Sequence, residues 1–296
     1  MVERKTIGSL VFDIVLSFIM LLFFILFVYP FLYIVLYSIS DISKLKFPLL
    51  IYPAGMNFDS YITILKTGGT LQAAIVSIAR SVIGPFGMLL VSGMGAFAIS
   101  RQDLVFGKGV RMFFLFSMYV SAGLIPGYIL IKSLGLTNNF WVYIIPGLAN
   151  VFNMILMKAY ISSIPHELEE SVKIDGGSDL DAYFRVILPL CTPVNAAVVL
   201  FAVIGQWNSY FDVSLYNGSN QSLYTLSYTL YLNLSSAKNV TLEELKLAAQ
   251  LGRTVRVNSQ SLSMAMTVIA MVPVMCIYPI LQKYFASGLL IGSVKM

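Results

Sequence analysis

The chain has 296 residues, of which 58% are hydrophobic and only 11% charged, and its net charge is +5. A water-soluble domain carries about 25% charged residues. These values, with a mean hydropathy of +0.82, exclude a globule with an ordinary wetted surface and indicate an integral membrane protein. The positive balance fits retention of cytoplasmic loops, and no basic stripe interleaved with aromatics is present to suit a nucleic acid.

Met-Val-Glu-Arg-Lys opens the chain and leads into an apolar run. That run is too long for a signal-peptide core and lacks a small-residue cleavage site, so it is expected to remain as a first span. Six segments are long and apolar enough to cross a bilayer, which takes about 20 residues per helix. They are approximately 14–36, 73–99, 110–131, 140–160, 188–207 and 262–284. Backbone groups in lipid must be bonded within their own segment, so most of the six are expected to be helical. The fold class is therefore all-α, with six transmembrane helices in one domain spanning 1–296. Pro126, Pro146 and Pro273 fall inside or near spans, where kinks or simple tolerance of proline are both open.

Between the first two spans, the segment from Ser38 to Gln72 holds Pro48, Pro53, Gly55 and Gly68-Gly69. Between the last two, Asn208 to Gln260 is polar and rich in Tyr, Ser and Asn, with a short helix predicted at Thr241–Leu251 from Thr241 as N-cap and Glu244 three residues on. Arg4, Lys5, Arg101, Lys108, Arg111, Lys173, Arg185, Lys283 and Lys295 all fall on one side of a six-span chain. Both termini and the segment from Pro165 to Leu190 are thus expected in the cytoplasm of a cell (inner) membrane. Lys44, Lys46, Lys66, Lys238, Lys246, Arg253 and Arg256 fall outside; the last four sit in a segment long enough to translocate regardless of charge.

The segment from Pro165 to Leu190 is a polar island holding Glu167, Glu169, Glu170, Asp175, Asp179 and Asp181, six of the chain's fourteen carboxylates. Ser163 ahead of Pro165, followed by carboxylates, predicts a helix start that suits the macrodipole. The helix should reach Asp175 and stop at Gly176-Gly177, where a tight turn needs a residue free to take positive φ. Ser178 with Asp181 predicts a second capping box, and the second helix should continue towards Pro189. An ordinary amphipathic connector and a handle for a soluble partner both fit these residues. His166, beside acidic residues, reads as a solvated surface side chain, and Cys191 and Cys276 as small hydrophobes. No metal-ligand spacing and no catalytic cluster is present. Arg80 lies about eight residues into the second span. A cation at that depth must meet a polar cavity, a partner carboxylate or another subunit.

The run E-S-V-K-I-D-G-G, followed by V-I-L-P, resembles the EAA loop of ABC importer permeases. Glu170 matches the glutamate, Gly176 the glycine, and Leu188 and Pro189 the closing pair; Ser171 and Val172 replace the two alanines, Gly177 the small residue after the glycine, and Val186 the isoleucine. The tail from Gln282 to Lys295 resembles that of carbohydrate-importer permeases of the maltose-permease type. Ser133–Val142 (S-L-G-L-T-N-N-F-W-V) and Gln206–Asp212 (Q-W-N-S-Y-F-D) are most similar to the branch handling oligosaccharides and polysaccharide fragments, including alginate and pectin-fragment importers.

The resemblance implies that the island is a cytoplasmic coupling helix, with Glu170, Ser171, Asp175, Gly176, Gly177, Leu188 and Pro189 meeting an ATPase. It implies a permease subunit of an ATP-driven importer of oligosaccharides, with uronate-containing fragments as candidate cargo. The implied partners are a second, non-identical permease subunit, two ATPase subunits and an extracellular solute-binding protein. This chain has no G-x-x-x-x-G-K-[ST] phosphate loop, so no cofactor is expected on it; ATP and Mg belong to the partner ATPase. Arg80, Asn150, Asn153, Trp207, Asn208, Tyr210 and Asp212 are candidates for the substrate path, since sugars take aromatic faces and hydrogen-bonding side chains. For Arg80, pairing with a carboxylate and contact with a uronate are both open. Gly288 and Gly292 predict irregular backbone in the tail, which is expected to meet the ATPase pair or line the cytoplasmic mouth. The alternative is a self-sufficient secondary carrier or channel, which would show inverted repeats and intramembrane carboxylates. A membrane enzyme lacks the necessary side-chain cluster.

Overall fold

A 32-residue helix, α1 (Ile7–Ser38), begins the computed structural model, which describes residues 7–41, 44, 49–66, 69–237 and 258–293. At 1.5 Å per residue α1 is about 48 Å long, more than a hydrocarbon core of about 30 Å. Phe12, Phe18, Phe24 and Phe27 are exposed on it, so it is apolar all round and has no single core-facing stripe. The predicted first span is a helix extended at both ends.

The described chain falls into two compact units. The first comprises residues 1–67 and 232–271. Within it, α2 (Asp59–Lys66) starts on Asn57, whose side-chain carbonyl accepts from the Asp59 amide at 2.7 Å. Hydroxyls join its parts: Tyr37 donates to Gln260 at 3.1 Å and Ser60 to Ser261 at 3.1 Å.

The second unit comprises 68–231 and 272–296 and is organised on α3 (Thr70–Ser100). Its buried face carries Ala73, Ser77, Arg80, Gly84, Met88, Ser92 and Ala96, a spacing of three and four that makes one stripe. Small residues on that stripe allow close helix approach. A methyl group at Gly84 would press on Gln206, and one at Gly93 would collide with the Tyr183 hydroxyl. Met88, Phe97, Met154, Met157, Tyr183, Ile187 and Val198 form the core beside it.

Three predicted spans are broken where continuous helices were expected. The third consists of α4 (Gly107–Tyr119) and α5 (Leu124–Ser133), bent by 111°. The break precedes Pro126: Val120 is extended and Gly123 has φ +87°. The fourth joins 3₁₀ turns at Phe140–Gly147 to α6 (Val151–Ile161) through a 43° bend, with Pro146 inside the 3₁₀ turn and Asn150 extended. After α7 (Glu167–Ile174) comes the fifth. It follows α8 (Asp179–Ala182) and a π-helical stretch Tyr183–Ile187, begins in α9 (Leu188–Leu190) and turns by 82° into α10 (Thr192–Asn208). Pro189 and Pro193 flank that turn. Hydropathy averages over such breaks, which is why the apolar runs read as continuous.

Beyond α10 lie α11 (Phe211–Tyr216) and α12 (Leu226–Ala237). The last helix, α13 (Ser259–Ser293), contains Pro273 and Pro279. It corrects the irregular tail expected from Gly288 and Gly292, both of which are helical. Each glycine costs about 1 kcal/mol against alanine in a helix, and the Leu289–Ile291 run between them favours the helix. The helix predicted at Thr241–Leu251 lies outside the described residues.

Candidate functional site

Two polar constructions stand out in the second unit. The first is the hairpin formed by α7 and α8. Glu167, Glu169 and Glu170 occupy the first turn of α7, where the free amides and the helix dipole favour negative charge. Ser163 does not cap this helix, contrary to expectation. Its hydroxyl donates to the Tyr160 carbonyl at 2.6 Å and so closes α6. The α7 cap position is His166, whose carbonyl accepts from the amides of Glu169 and Glu170 at 2.9 and 3.1 Å.

The predicted stop at the glycine pair is present as a Schellman turn. The Gly177 amide donates to Val172 at 2.8 Å and the Gly176 amide to Lys173 at 3.0 Å. Gly176 has φ +80°, which L side chains resist. Gly177 is needed for a different reason: a Cβ there would lie 2.5 Å from Val172 Cγ1 and 2.9 Å from the Val172 carbonyl oxygen. The predicted capping box forms, with the Asp181 amide donating to Ser178 Oγ at 3.2 Å and the Ser178 amide to Asp181 Oδ2 at 3.0 Å. Glu170, Ser171, Asp175 and Pro189 are exposed, and Leu188 is half-buried. Ile174 and Leu180, 85% and 61% exposed, present apolar side chains on the same hairpin.

Ion pairs also span the hairpin. Lys173 Nζ lies 3.2 Å from Asp179 and Arg185 Nη2 lies 3.1 Å from Asp181. Arg101, named at the sequence level only as a topology marker, pairs with both Asp103 and Asp179. Arg101 foremost, then Lys173, holds the Asp179 carboxyl below the usual range. Arg101 does the same for Asp103, and the Ser178 bonds do so for Asp181.

The second construction is a cavity of about 730 Å³ walled by α3, α5, the turns at 140–147, α6, α10 and the segment 209–216. Arg80 is buried beside it and is fully engaged. Its Nε donates to Gln206 Oε1 at 2.8 Å, its two terminal nitrogens face the Asp212 carboxylate, and its guanidinium lies 4.3 Å above the Tyr143 ring. Gln206 Nε2 donates to the Tyr143 carbonyl at 2.9 Å. Asp212 also accepts from Ser209 Oγ at 2.7 Å and from the Val213 amide at 2.9 Å. Of the two readings open for Arg80, carboxylate pairing is the one present.

Arg80, Asn150, Asn153 and Asp212 line the cavity. Asn150 Oδ1 caps α6 by accepting from the Asn153 amide at 3.0 Å, so this residue also holds the break in the fourth span. The other three candidates are not on the wall. Trp207 is buried, its carbonyl accepting from Ser227. Tyr210 stacks on Tyr231 at 4.9 Å, and Asn208 is exposed. The wall instead takes its aromatics from Tyr143, Phe152, Phe201 and Tyr216, the last stacked with Tyr128 at 5.9 Å. No local pattern singles these out in a chain with 17 Tyr and 20 Phe. Gln206 was legible only as part of the Gln206–Asp212 run.

No family model matches the chain. It is 34% identical over 259 residues to the polygalacturonan/rhamnogalacturonan transport system permease protein YtcP of Bacillus subtilis (strain 168), covering 87% of this chain and 88% of that one. It is 34% identical to protein LplC of the same organism, covering 83% and 81%. Among solved structures, it resembles a chain of a bacterial ABC transporter involved in the import of the acidic polysaccharide alginate. That match has a TM-score of 0.84 and 28% identity, covering 96% of this chain and 99% of that one.

Proposed function

We propose a place for the motor and a route for the sugar on the premise that this chain belongs to the permease subunits of sugar-importing ABC transporters. The α7–α8 hairpin is the part an ATPase engages. The observation that carries this reading is the build of the hairpin: an acidic first turn, a glycine pair required by both φ and close approach, and exposed Ile174 and Leu180 at the turn. A surface that is charged, apolar and rigid suits a soluble protein cleft better than a lipid headgroup layer. Glu170 supplies the polar or ionic contact, and Gly176 sets the bend. ATP and Mg are held by two partner ATPase subunits, which hydrolyse the ATP. A second permease subunit and an extracellular solute-binding protein complete the importer, and both termini and the hairpin are cytoplasmic in the cell membrane.

The cavity is this subunit's share of the sugar path. Aromatic faces from Phe152, Phe201 and Tyr216 and the polar ends of Asn150 and Asn153 suit a hydroxylated ring with apolar faces. The cargo class is a fragment of an acidic polysaccharide, supported by the likeness to a polygalacturonan/rhamnogalacturonan permease and to an alginate importer. Because Asp212 neutralises Arg80, this wall recognises hydroxyls and leaves selection of the carboxylates to the solute-binding protein.

Tagging the chain, solubilising the membrane and identifying what co-purifies tests the assembly. Two ATPase chains and a binding protein loaded with an oligouronide are the expected companions; recovery of the chain alone, active in uptake without ATP, would sink the reading. In the reconstituted complex, Glu170→Ala and Gly176→Val are expected to abolish sugar-stimulated ATP hydrolysis while the chain still inserts.

A further inference from the structure

Arg101 stands at the end of α3, where the backbone turns extended. Its side chain is only 15% exposed, and its guanidinium binds two carboxylates from different parts of the chain. Nε and Nη2 donate to Asp103 at 3.0 Å each, within its own loop, while Nη1 pairs with Asp179 across on the hairpin. Lys173 joins Asp179 from α7. The planar fork of arginine suits this two-sided grip in a way that a lysine ammonium does not. The grip has support from below: the Arg101 guanidinium lies 5.9 Å from the Phe97 ring, and Phe97 packs on Tyr183 at 5.4 Å. From the other side, Arg111 Nη1 donates to the carbonyls of Ile99 and Arg101 at 3.1 and 3.4 Å, holding the turn closed.

The same helix carries Arg80, 21 residues earlier, or about 32 Å along the axis at 1.5 Å per residue. One helix therefore carries the hairpin clasp at its C-terminal end and the cavity's ion pair nearer its N-terminal end, with Pro85 between the two. We infer that Arg101 is a positioning residue that fastens the hairpin to α3, so that displacement of the hairpin moves the helix bearing Arg80 and reshapes the cavity. This rests on the hairpin being the part an ATPase engages. Without the clasp, part of a push on the hairpin would be absorbed by bending at the π-helical stretch Tyr183–Ile187 through which it continues.

The test uses the assembled transporter in liposomes with Asp179→Asn, Arg101→Gln and the charge-retaining Asp179→Glu. Asp179 is 57% exposed, so its replacement leaves the core untouched even if Arg101→Gln folds poorly. Sugar uptake per ATP hydrolysed should fall about fivefold or more in the first two, the lower end of ordinary coupling between sites, with assembly and basal ATP hydrolysis retained. Hydrogen exchange of the amides at 167–178 should quicken in the same two variants, and Asp179→Glu should restore both readouts. Unchanged uptake per ATP, or unchanged exchange, in both variants would overturn the inference. A wild-type complex that shows no sugar-stimulated ATP hydrolysis would be a failure of the proposed function instead, and the exchange measurement would then decide the clasp by itself.

Discussion

The hairpin and the cavity are both polar places in an apolar chain, and they are assembled over different distances. In the hairpin, the caps, the Schellman bonds and the pairs from Lys173 and Arg185 join residues within six positions of one another. In the cavity, Arg80 meets Gln206 and Asp212 across 126 and 132 residues. The hairpin charges are mostly solvated, where an ion pair contributes about 0–1 kcal/mol; in the cavity Arg80 is buried and Asp212 half-buried, so that losing the carboxylate strands a buried cation. Shape in the hairpin thus comes from backbone geometry, and shape in the cavity from charge compensation.

The largest effect expected from that contrast is at the cavity. Asp212→Ala leaves the Arg80 cation buried without its carboxylate and should cost about 3–5 kcal/mol, read as a lowered midpoint of thermal unfolding in detergent. Arg80→Met combined with Asp212→Leu should be milder than Asp212→Ala. A double variant as unstable as the single would mean that packing, and not charge, governs the site.

Next come the glycines. Gly176→Asn should keep most uptake, because asparagine tolerates the left-handed region, whereas Gly176→Val should not. Gly177→Ala should be as damaging as Gly176→Val despite adding only a methyl, since Val172 occupies that space. Equal uptake in all three would show that the turn is not a rigid part.

Ser178→Ala removes one cap and should cost about 1 kcal/mol locally, visible as faster exchange at the Asp181 amide with uptake nearly unchanged. The smallest effect is on pH. Asp179 and Asp103 have carboxyls held below their ordinary value of about 4 by Arg101. A depressed carboxylate contributes stability that is present above the ordinary value and is lost as pH falls through the lower folded value. A spin label at Ile174→Cys in a Cys276→Ser background should therefore stay immobile from neutrality down to about pH 4 and loosen only below it. Loosening near pH 6 would show that these two carboxyls do not govern how the hairpin is held.

The sequence alone determined what depends on near neighbours and on composition. Sparse charge required a membrane protein, the concentration of carboxylates at 165–190 marked the hairpin, and Gly176-Gly177 and Ser178–Asp181 announced its turn and second cap. Ser163 misled because the same signal serves the end of α6. The tertiary structure alone decided which carboxylate meets Arg80, that Arg101 reaches Asp179, which aromatics face the cavity, and where three apolar runs break. Those outcomes turn on pairings between distant segments and on single φ/ψ values such as that of Gly123. Hydropathy and local spacing carry no record of either, because a buried charge requires some partner without saying where along the chain it lies.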